Sequence, residues 1–138
     1  MKIFIDSSAY IAYYNKRDEN HEKAKNFLDK IRSKEISPII FYTSDYIFDE
    51  VLTTIIALTG RKDLAIKVGN TILSSKITKI IKVDSKIFNE AWELFKKYKD
   101  KTWSFTDCTS FIIMKINNIK RAFTFDEHYK QAGYITIP

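Results

Sequence analysis

Lys101-Thr-Trp-Ser-Phe-Thr-Asp-Cys-Thr-Ser-Phe111 is the segment from which the architecture of this chain can be worked out. Ser104 precedes Asp107 by three residues, and a long apolar run extends from Phe111 to Ile116. A hydroxyl at the N-cap and a carboxylate three residues later form a capping box, so the spacing predicts a helix over 104–116. Capping alone would explain Asp107, so any chemistry assigned to it depends on acids elsewhere in the chain.

Short apolar runs alternate with amphipathic segments on both sides of this helix. The expected strands are 2–6, 38–43, 77–83, 121–125 and an edge segment at 134–137. The other expected helices are 7–14 with Ser7 or Ser8 near its cap, 21–31, 44–58, 64–73, 87–98 and 127–131. Strands that alternate with helices are joined by βαβ crossovers, so the pattern predicts an α/β fold with a central, mainly parallel sheet flanked by helices.

The composition is that of one folded domain over residues 1–138, with 45% hydrophobic residues and too few glycines and prolines for a linker. Cys108 is the single cysteine, which excludes a disulfide within the chain and a site built from several thiolates. The net charge of +6 favours an acidic partner such as nucleic acid. The sequence shows neither a secretion signal nor an apolar run near the ~18 residues of a membrane span, so we expect a cytoplasmic protein without membrane contact.

Four acidic residues occupy similar places in the predicted elements. Asp6 and Asp126 each follow an apolar strand, Asp107 lies in the first turn of a helix, and Glu50 lies about two turns into the helix after the second strand. Parallel sheets place their sites at the carboxyl ends of the strands, so these side chains can converge there. Judged one at a time, each acid can also be explained as an Asx turn, a helix cap or a surface charge.

Carboxylates that converge repel one another unless a positive charge lies between them. Hard divalent cations are the usual solution, because Mg²⁺ binds a few carboxylates and retains waters for a substrate phosphate. Two such ions can activate a water and stabilise the leaving oxygen of a phosphodiester. No side chain of the four is a nucleophile, so the expected attacking group is a water activated by metal.

Four short motifs, in this order along the chain, resemble those of the PIN domain, and in particular the VapC-type toxin ribonucleases of toxin–antitoxin pairs. They are Ile5-Asp6-Ser7-Ser8, Asp49-Glu50-Val51, Ser104-Phe105-Thr106-Asp107 and Phe123-Thr-Phe-Asp126-Glu-His128. The resemblance covers the whole chain and implies a single PIN-like three-layer domain. It also implies Mg²⁺- or Mn²⁺-dependent endonucleolytic cleavage of single-stranded RNA, with Asp6, Glu50, Asp107 and Asp126 as the catalytic, metal-holding residues.

The resemblance extends to supporting residues and partners. Ser8 and Thr106 match positions where the family carries hydroxyls that support the acidic cluster, and Asp126 matches the most variable acid, which can act through water. His128 matches a frequent family residue, to which we assign a structural role. A small antitoxin protein and a homodimer are expected by resemblance alone.

Basic and aromatic residues near the motif-bearing loops are candidates for RNA binding, through phosphate contacts and base stacking. They are the cations Lys16, Arg17, Lys101 and Arg121 and the aromatic residues Tyr14 and Trp103.

Three other functions remain open at this point. A phosphoacceptor receiver domain also carries acids at a sheet edge, but it needs adjacent acids after its first strand, where this chain has Ser7 and Ser8. A PIN nuclease of RNA maturation that is not a toxin would carry the same acids. A PIN module that binds RNA or protein without catalysis is disfavoured by the intact acids.

Overall fold

The computed structural model describes residues 1–36 and 38–138. Its strands are β1 (Lys2–Ile5), β2 (Ile40–Ser44), β3 (Thr78–Ile81), β4 (Arg121–Phe123) and β5 (Ile135–Ile137). Its helices are α1 (Ser7–Tyr14), α2 (His21–Arg32), α3 (Asp45–Thr59), α4 (Lys62–Ser74), α5 (Ser85–Lys97), α6 (Phe105–Ile116) and α7 (Glu127–Gln131). None of the helices within these described ranges is long and apolar enough to cross a membrane.

The five strands form one sheet in the order β3-β2-β1-β4-β5, and every neighbouring pair is parallel. The predicted α/β fold is therefore confirmed. β1 lies at the centre, where Phe4 pairs with Tyr42 on one side and with Ala122 on the other. Because all strands run the same way, their carboxyl ends lie along a single edge of the sheet, and the segments that follow β1, β2 and β4 leave from that edge.

β1 is buried on both faces, as its unbroken apolar run predicts. Ile3 and Ile5 pack with apolar residues of α1 and α2 on one face of the sheet. Phe4 points to the other face and joins the larger core formed with α3 to α7. The sheet thus lies between two helical layers, and this packing fixes the position of the residue that follows β1.

The predicted helix signals act as expected. The hydroxyl of Ser44 accepts a hydrogen bond from the Ile47 amide at 3.1 Å, and the carboxylate of Asp84 accepts one from the Ile87 amide at 2.9 Å. Gly60 ends α3 with a φ of 66°, a left-handed conformation that costs glycine little. At the start of α6, Ser104 and Asp107 form both hydrogen bonds of the capping box.

Some boundaries differ from the predicted ones. β2 begins at Ile40 rather than at Pro38, β3 covers only Thr78–Ile81, and β4 ends at Phe123 rather than at Phe125. The early end of β4 has a clear cause, because beyond Thr124, whose amide still donates to the Ile137 carbonyl, the amides donate to side chains instead of continuing the ladder. The amide of Phe125 donates to Ser8 Oγ at 3.0 Å, and that of Asp126 donates to Thr124 Oγ1 at 3.0 Å.

The start of α1 also differs. Its N-cap is Asp6 rather than Ser7 or Ser8, and the Asp6 side chain accepts no capping hydrogen bond. This carboxylate is instead directed towards other side chains at the carboxyl edge of the sheet.

Candidate active site

Asp6 directly follows β1, next to the end of β4, and is almost fully buried, with 3% of its surface exposed. Its backbone amide donates to the carbonyl of Phe123 at 3.1 Å, which fixes the residue at the carboxyl ends of the two strands. Three hydroxyls donate to the carboxylate: Ser8 Oγ at 2.8 Å, Thr124 Oγ1 at 2.9 Å and the Tyr129 hydroxyl at 3.0 Å. Asp6 is therefore held rigidly by neighbours from α1, the end of β4 and α7.

Burial raises the pKa of the Asp6 carboxyl above its ordinary value, because the charged form loses its hydration. The three hydroxyls oppose this rise by stabilising the charged form, and the negative charge of Asp107 adds to it. The site therefore contains a carboxylate whose charge the protein itself compensates only in part.

Glu50 reaches the same place from α3. It is half-buried, and the hydroxyl of Ser7 donates a close hydrogen bond to its Oε1. Its pKa is also raised, first by burial and then by the negative charges of Asp6, Asp107 and Asp126. All four predicted acids are thus close enough to act on one another electrostatically.

His128 joins the remaining two acids. Its Nδ1 lies 2.8 Å from Asp107 Oδ2 and 3.4 Å from Asp126 Oδ1. The backbone amide of His128 also donates to Asp126 Oδ1 at 2.9 Å, so Asp126 caps α7 as well. One ligand atom from each of these three residues lies within 4.8 Å of the others, a spacing that a metal ion could bridge.

The residues of this site fit a hard divalent cation. Asp107 Oδ1, Asp126 Oδ2 and Glu50 Oε2 accept no hydrogen bond from any residue in the described part of the chain. Free oxygens on neighbouring carboxylates, one of them on Glu50, whose charge is only partly compensated, match the ligand preference of Mg²⁺ and Mn²⁺.

The predicted supporting hydroxyls have different outcomes. Ser8 donates to Asp6 and also lies 3.2 Å from Thr124 Oγ1. The hydroxyl of Thr106 makes no hydrogen bond with another described side chain, and the residue lines a surface hollow beside Glu50. Thr124, from the end of β4, makes the contact that was expected of Thr106. The reason is geometric, since Thr124 directly follows the strand that pairs with β1.

Two of the predicted RNA-binding residues are not placed for that role. Arg121 is the first residue of β4 and pairs with Ile3, so it lies at the amino edge of the sheet, opposite the acids. Trp103 is 7% exposed, donates from Nε1 to Gln131 at 3.0 Å and packs on Phe111, so it is a core residue without a free face for a base.

The other four RNA-binding candidates lie on the surface or partly so. Lys101 is next to Thr102, whose hydroxyl is 3.4 Å from His128 Nε2, and it is therefore near the acidic cluster. Lys16, Arg17 and Tyr14 line a cleft past the C-terminal end of α1.

Besides that of Thr124, three contributions to the site were not foreseen from the sequence. Ser7 was expected only as a cap and instead binds Glu50, and His128 was given only a structural role. Tyr129 was not singled out, although it lies three residues after Asp126 on a short helix. Tyr129 is completely buried, and nothing in the sequence distinguishes it from an aromatic residue that only packs in the core.

The raised pKa of Glu50 gives a first prediction. Above the ordinary pKa of about 4.5, ionisation of Glu50 opposes folding, and this loss is complete once the pH passes the raised folded-state value. Glu50→Gln should therefore raise the melting temperature of the protein in EDTA at neutral pH, with a gain that disappears towards acidic pH. Asp49→Asn, an exposed position on the same helix, is the matched control and should show no such pH-dependent gain. An unchanged or lower melting temperature for Glu50→Gln would contradict the electrostatic account.

Comparison with known proteins places these observations in a family. The family model of the PIN domain matches residues 3–133. The 23S rRNA-specific endonuclease VapC20 of Mycobacterium tuberculosis is 27% identical over 135 residues, which cover 98% of this chain and 97% of that protein. The crystal structure of the same relative, a sarcin-ricin loop cleaving toxin, gives a TM-score of 0.87 over 99% of both chains.

Two more distant structures share the fold. VapBC2 from Rickettsia felis, bound to a DNA fragment from its promoter, gives a TM-score of 0.71 at 15% identity, with coverage of 99% of this chain and 97% of that one. FitAcB from Neisseria gonorrhoeae gives 0.64 at 15% identity, with coverage of 100% and 97%. At this identity the likeness concerns the fold alone.

Proposed function

Because the chain belongs to the PIN domain family, we propose that it is a divalent-metal-dependent endoribonuclease that acts as the toxin of a toxin–antitoxin pair. The observation that carries the proposal is the convergence of Asp6, Glu50, Asp107 and Asp126 at one edge of the sheet, with free oxygens on three of them. We assign the nuclease to a single domain over residues 1–138.

In the proposed mechanism the four acids would hold Mg²⁺ or Mn²⁺, which would supply the Lewis acidity for displacement at a phosphodiester. Asp6 is oriented by the hydroxyls of Ser8, Thr124 and Tyr129, which also favour its ionised form. His128 Nδ1 lies 2.8 Å from Asp107 Oδ2, and this contact fixes the direction of that carboxylate.

Glu50 would hold the cation through Oε2, because the hydrogen bond from Ser7 occupies Oε1. Burial and the negative charges of Asp6, Asp107 and Asp126 raise the pKa of Glu50 in the metal-free protein, and a bound cation would relieve the repulsion among these charges.

The relatives support the proposed substrate and the proposed antitoxin partner. Likeness to VapC20 over nearly the whole chain supports the large-subunit ribosomal RNA as substrate, reached in the cytoplasm, and a small antitoxin protein as partner. For the homodimer, support comes from the outer face of α5, where Phe88, Trp92 and Phe95 are 41–47% exposed. Exposed aromatic residues grouped on one helix are typical of a protein–protein interface.

The proposal is tested by incubating the purified chain with an RNA oligonucleotide that spans the sarcin–ricin loop, and with intact ribosomes. We expect one specific cut in the presence of Mg²⁺ or Mn²⁺ and none with excess EDTA, with cleavage restored when the metal is added back. Undiminished cleavage of the oligonucleotide in EDTA would contradict the metal mechanism. Absence of cleavage of both RNAs with either metal would contradict the proposed substrate.

A further inference from the structure

A second surface of the chain carries positive charge without a role in the acidic cluster. It is a cleft between the α1–α2 loop and the α3–α4 turn, which we name the basic cleft. Five cations line it: Lys16, Arg17, Lys25, Arg61 and Lys67. Three of them belong to helices or their ends: Lys25 lies on α2, Lys67 lies on α4 and Arg61 is the N-cap of α4.

The charge of this cleft is poorly neutralised. No aspartate or glutamate is among its lining residues in the described part of the chain. Asp63 pairs with Arg61 at 2.8 Å from outside the cleft, which leaves the other four cations without a salt bridge within the described residues. Positive charges gathered in a concave surface raise the local electrostatic potential and attract anions. The potential in the cleft is therefore higher than an even distribution of the net charge of +6 would produce.

Two helix faces connect the basic cleft to the acidic cluster. Ser7 and Glu50 are joined by a hydrogen bond at the cluster, on α1 and α3 respectively, and these two helices pack together. Eight residues further along the chain, Asn15, which directly follows α1, and Leu58, near the end of α3, both line the cleft. Eight helical residues span about 12 Å, a distance that a few nucleotides of an extended strand can cover.

An aromatic side chain, Tyr14, lines the cleft together with these cations. Tyr14 is half-buried and packs edge-on against Tyr13 at 4.9 Å between ring centroids. Aromatic rings beside cations are the usual platform for unpaired bases, which stack on the ring while their phosphates meet the charges.

We propose that the basic cleft binds phosphates of the RNA substrate a few nucleotides away from the bond that the acidic cluster cuts. The inference rests on the proposed function, because it takes RNA as the substrate of the neighbouring cluster. It assigns to Lys25, Arg61 and Lys67, as well as to Lys16 and Arg17, a role in holding the strand along α1 and α3.

Binding tests the inference without catalysis. In an Asp107→Asn background with EDTA, the affinity for a fluorescent oligouridylate is measured at several salt concentrations. Each phosphate contact to a single strand contributes about 0.7 to the slope of log K against log salt, so Lys16→Glu/Lys25→Glu should lower the slope by about 1.4. Lys120→Glu has one reversed charge at the amino edge of the sheet, far from the cleft, and should leave the slope unchanged.

Cleavage gives an independent readout. On the sarcin–ricin oligonucleotide with Mg²⁺, the double variant should have a higher KM and a nearly unchanged kcat. The reason is that the two lysines which it lacks bind the strand away from the reacting bond. Lys67→Glu, on a different helix, should act in the same direction and replaces the double variant if melting shows that the latter is unfolded. Size-exclusion chromatography should give the same oligomeric state for all variants.

The failures can be told apart. A slope unchanged in both Lys16→Glu/Lys25→Glu and Lys67→Glu overturns the basic cleft even if the wild-type chain cuts RNA. A changed oligomeric state in these variants also overturns it, because the cleft would then be an interface between copies. A reduced slope in a chain that cuts no RNA supports the cleft as an RNA site and counts only against the proposed nuclease.

Discussion

Asp107→Asn is expected to reduce RNA cleavage by at least about 100-fold while the protein remains folded. Loss of a residue that merely orients a metal ligand typically costs 10–100-fold, and Asp107 is proposed as a ligand itself. The fold should be preserved because asparagine can accept the Ser104 amide hydrogen bond that Asp107 Oδ2 accepts, so the cap of α6 survives. A cleavage assay with matched enzyme concentrations measures the loss.

The response to metal separates a ligand from a cap. The wild-type protein should gain about 1 kcal/mol of stability from Mg²⁺ at a few times its dissociation constant, and Asp107→Asn should lose most of this gain. Without metal the variant should be as stable as the wild type or slightly more so, because one of four mutually repelling charges is removed.

Asp84→Asn is the matched control for this experiment, because Asp84 caps α5 and lies outside the acidic cluster. It should keep both cleavage and the Mg²⁺ response. If Asp107 served only as a cap, the two variants would behave alike, with modest destabilisation and full activity. Retained cleavage by a folded Asp107→Asn protein would remove the central residue of the proposed mechanism.

Tyr129→Phe should destabilise the metal-free protein by about 2 kcal/mol at neutral pH, the cost of losing a hydrogen bond to a charged group. The Tyr129 hydroxyl donates to Asp6 Oδ1 at 3.0 Å and lowers the pKa of that carboxyl, which burial has raised. Without the hydroxyl the folded-state pKa of Asp6 rises further. The lost stability is therefore largest above that pKa and shrinks as the pH falls and Asp6 becomes protonated in both proteins.

Tyr134→Phe provides the comparison at a site without charge. The Tyr134 hydroxyl donates to the Phe111 carbonyl at 3.0 Å, and its loss should cost only about 1 kcal/mol, by the same amount at neutral and acidic pH. Urea unfolding in EDTA at several pH values measures both variants. Equal, pH-independent losses would show that Tyr129 contributes through packing and an ordinary hydrogen bond, and that it does not compensate the charge of Asp6.

Much of the fold is encoded locally and was predictable. The runs at β1 and β4, the caps at Ser44, Asp84 and Ser104, and the glycine that ends α3 are signals carried by a few neighbouring residues. They suffice to place strands and helices in order, and parallel order alone then gathers the acids at one edge.

The hydrogen bonds that hold the acidic side chains in place were less predictable, because they join residues far apart in the sequence. Thr124 and Tyr129 bind a residue 118 and 123 positions earlier, and nothing in their local sequence distinguishes them from a strand-end threonine and a core tyrosine. Arg121 shows the opposite error, because it is close to Asp126 in sequence but far from it in the fold. Arg121 begins β4, whereas Asp126 lies beyond the other end of that strand. A resemblance identifies positions that share a motif, but the edge of the sheet to which a side chain belongs is set by strand direction.

The hydrogen bonds of Asp6 also determine when during synthesis the chain can first become a nuclease. β1 leaves the ribosome early, but its neighbour β4 is complete only when residue 123 has been made. The hydrogen bond from Tyr129 to Asp6 can form only after residue 129 has been added. Contacts of such long sequence separation form late, because the whole intervening chain must be closed into a loop. A nascent or truncated chain that ends before residue 129 therefore has no assembled acidic cluster.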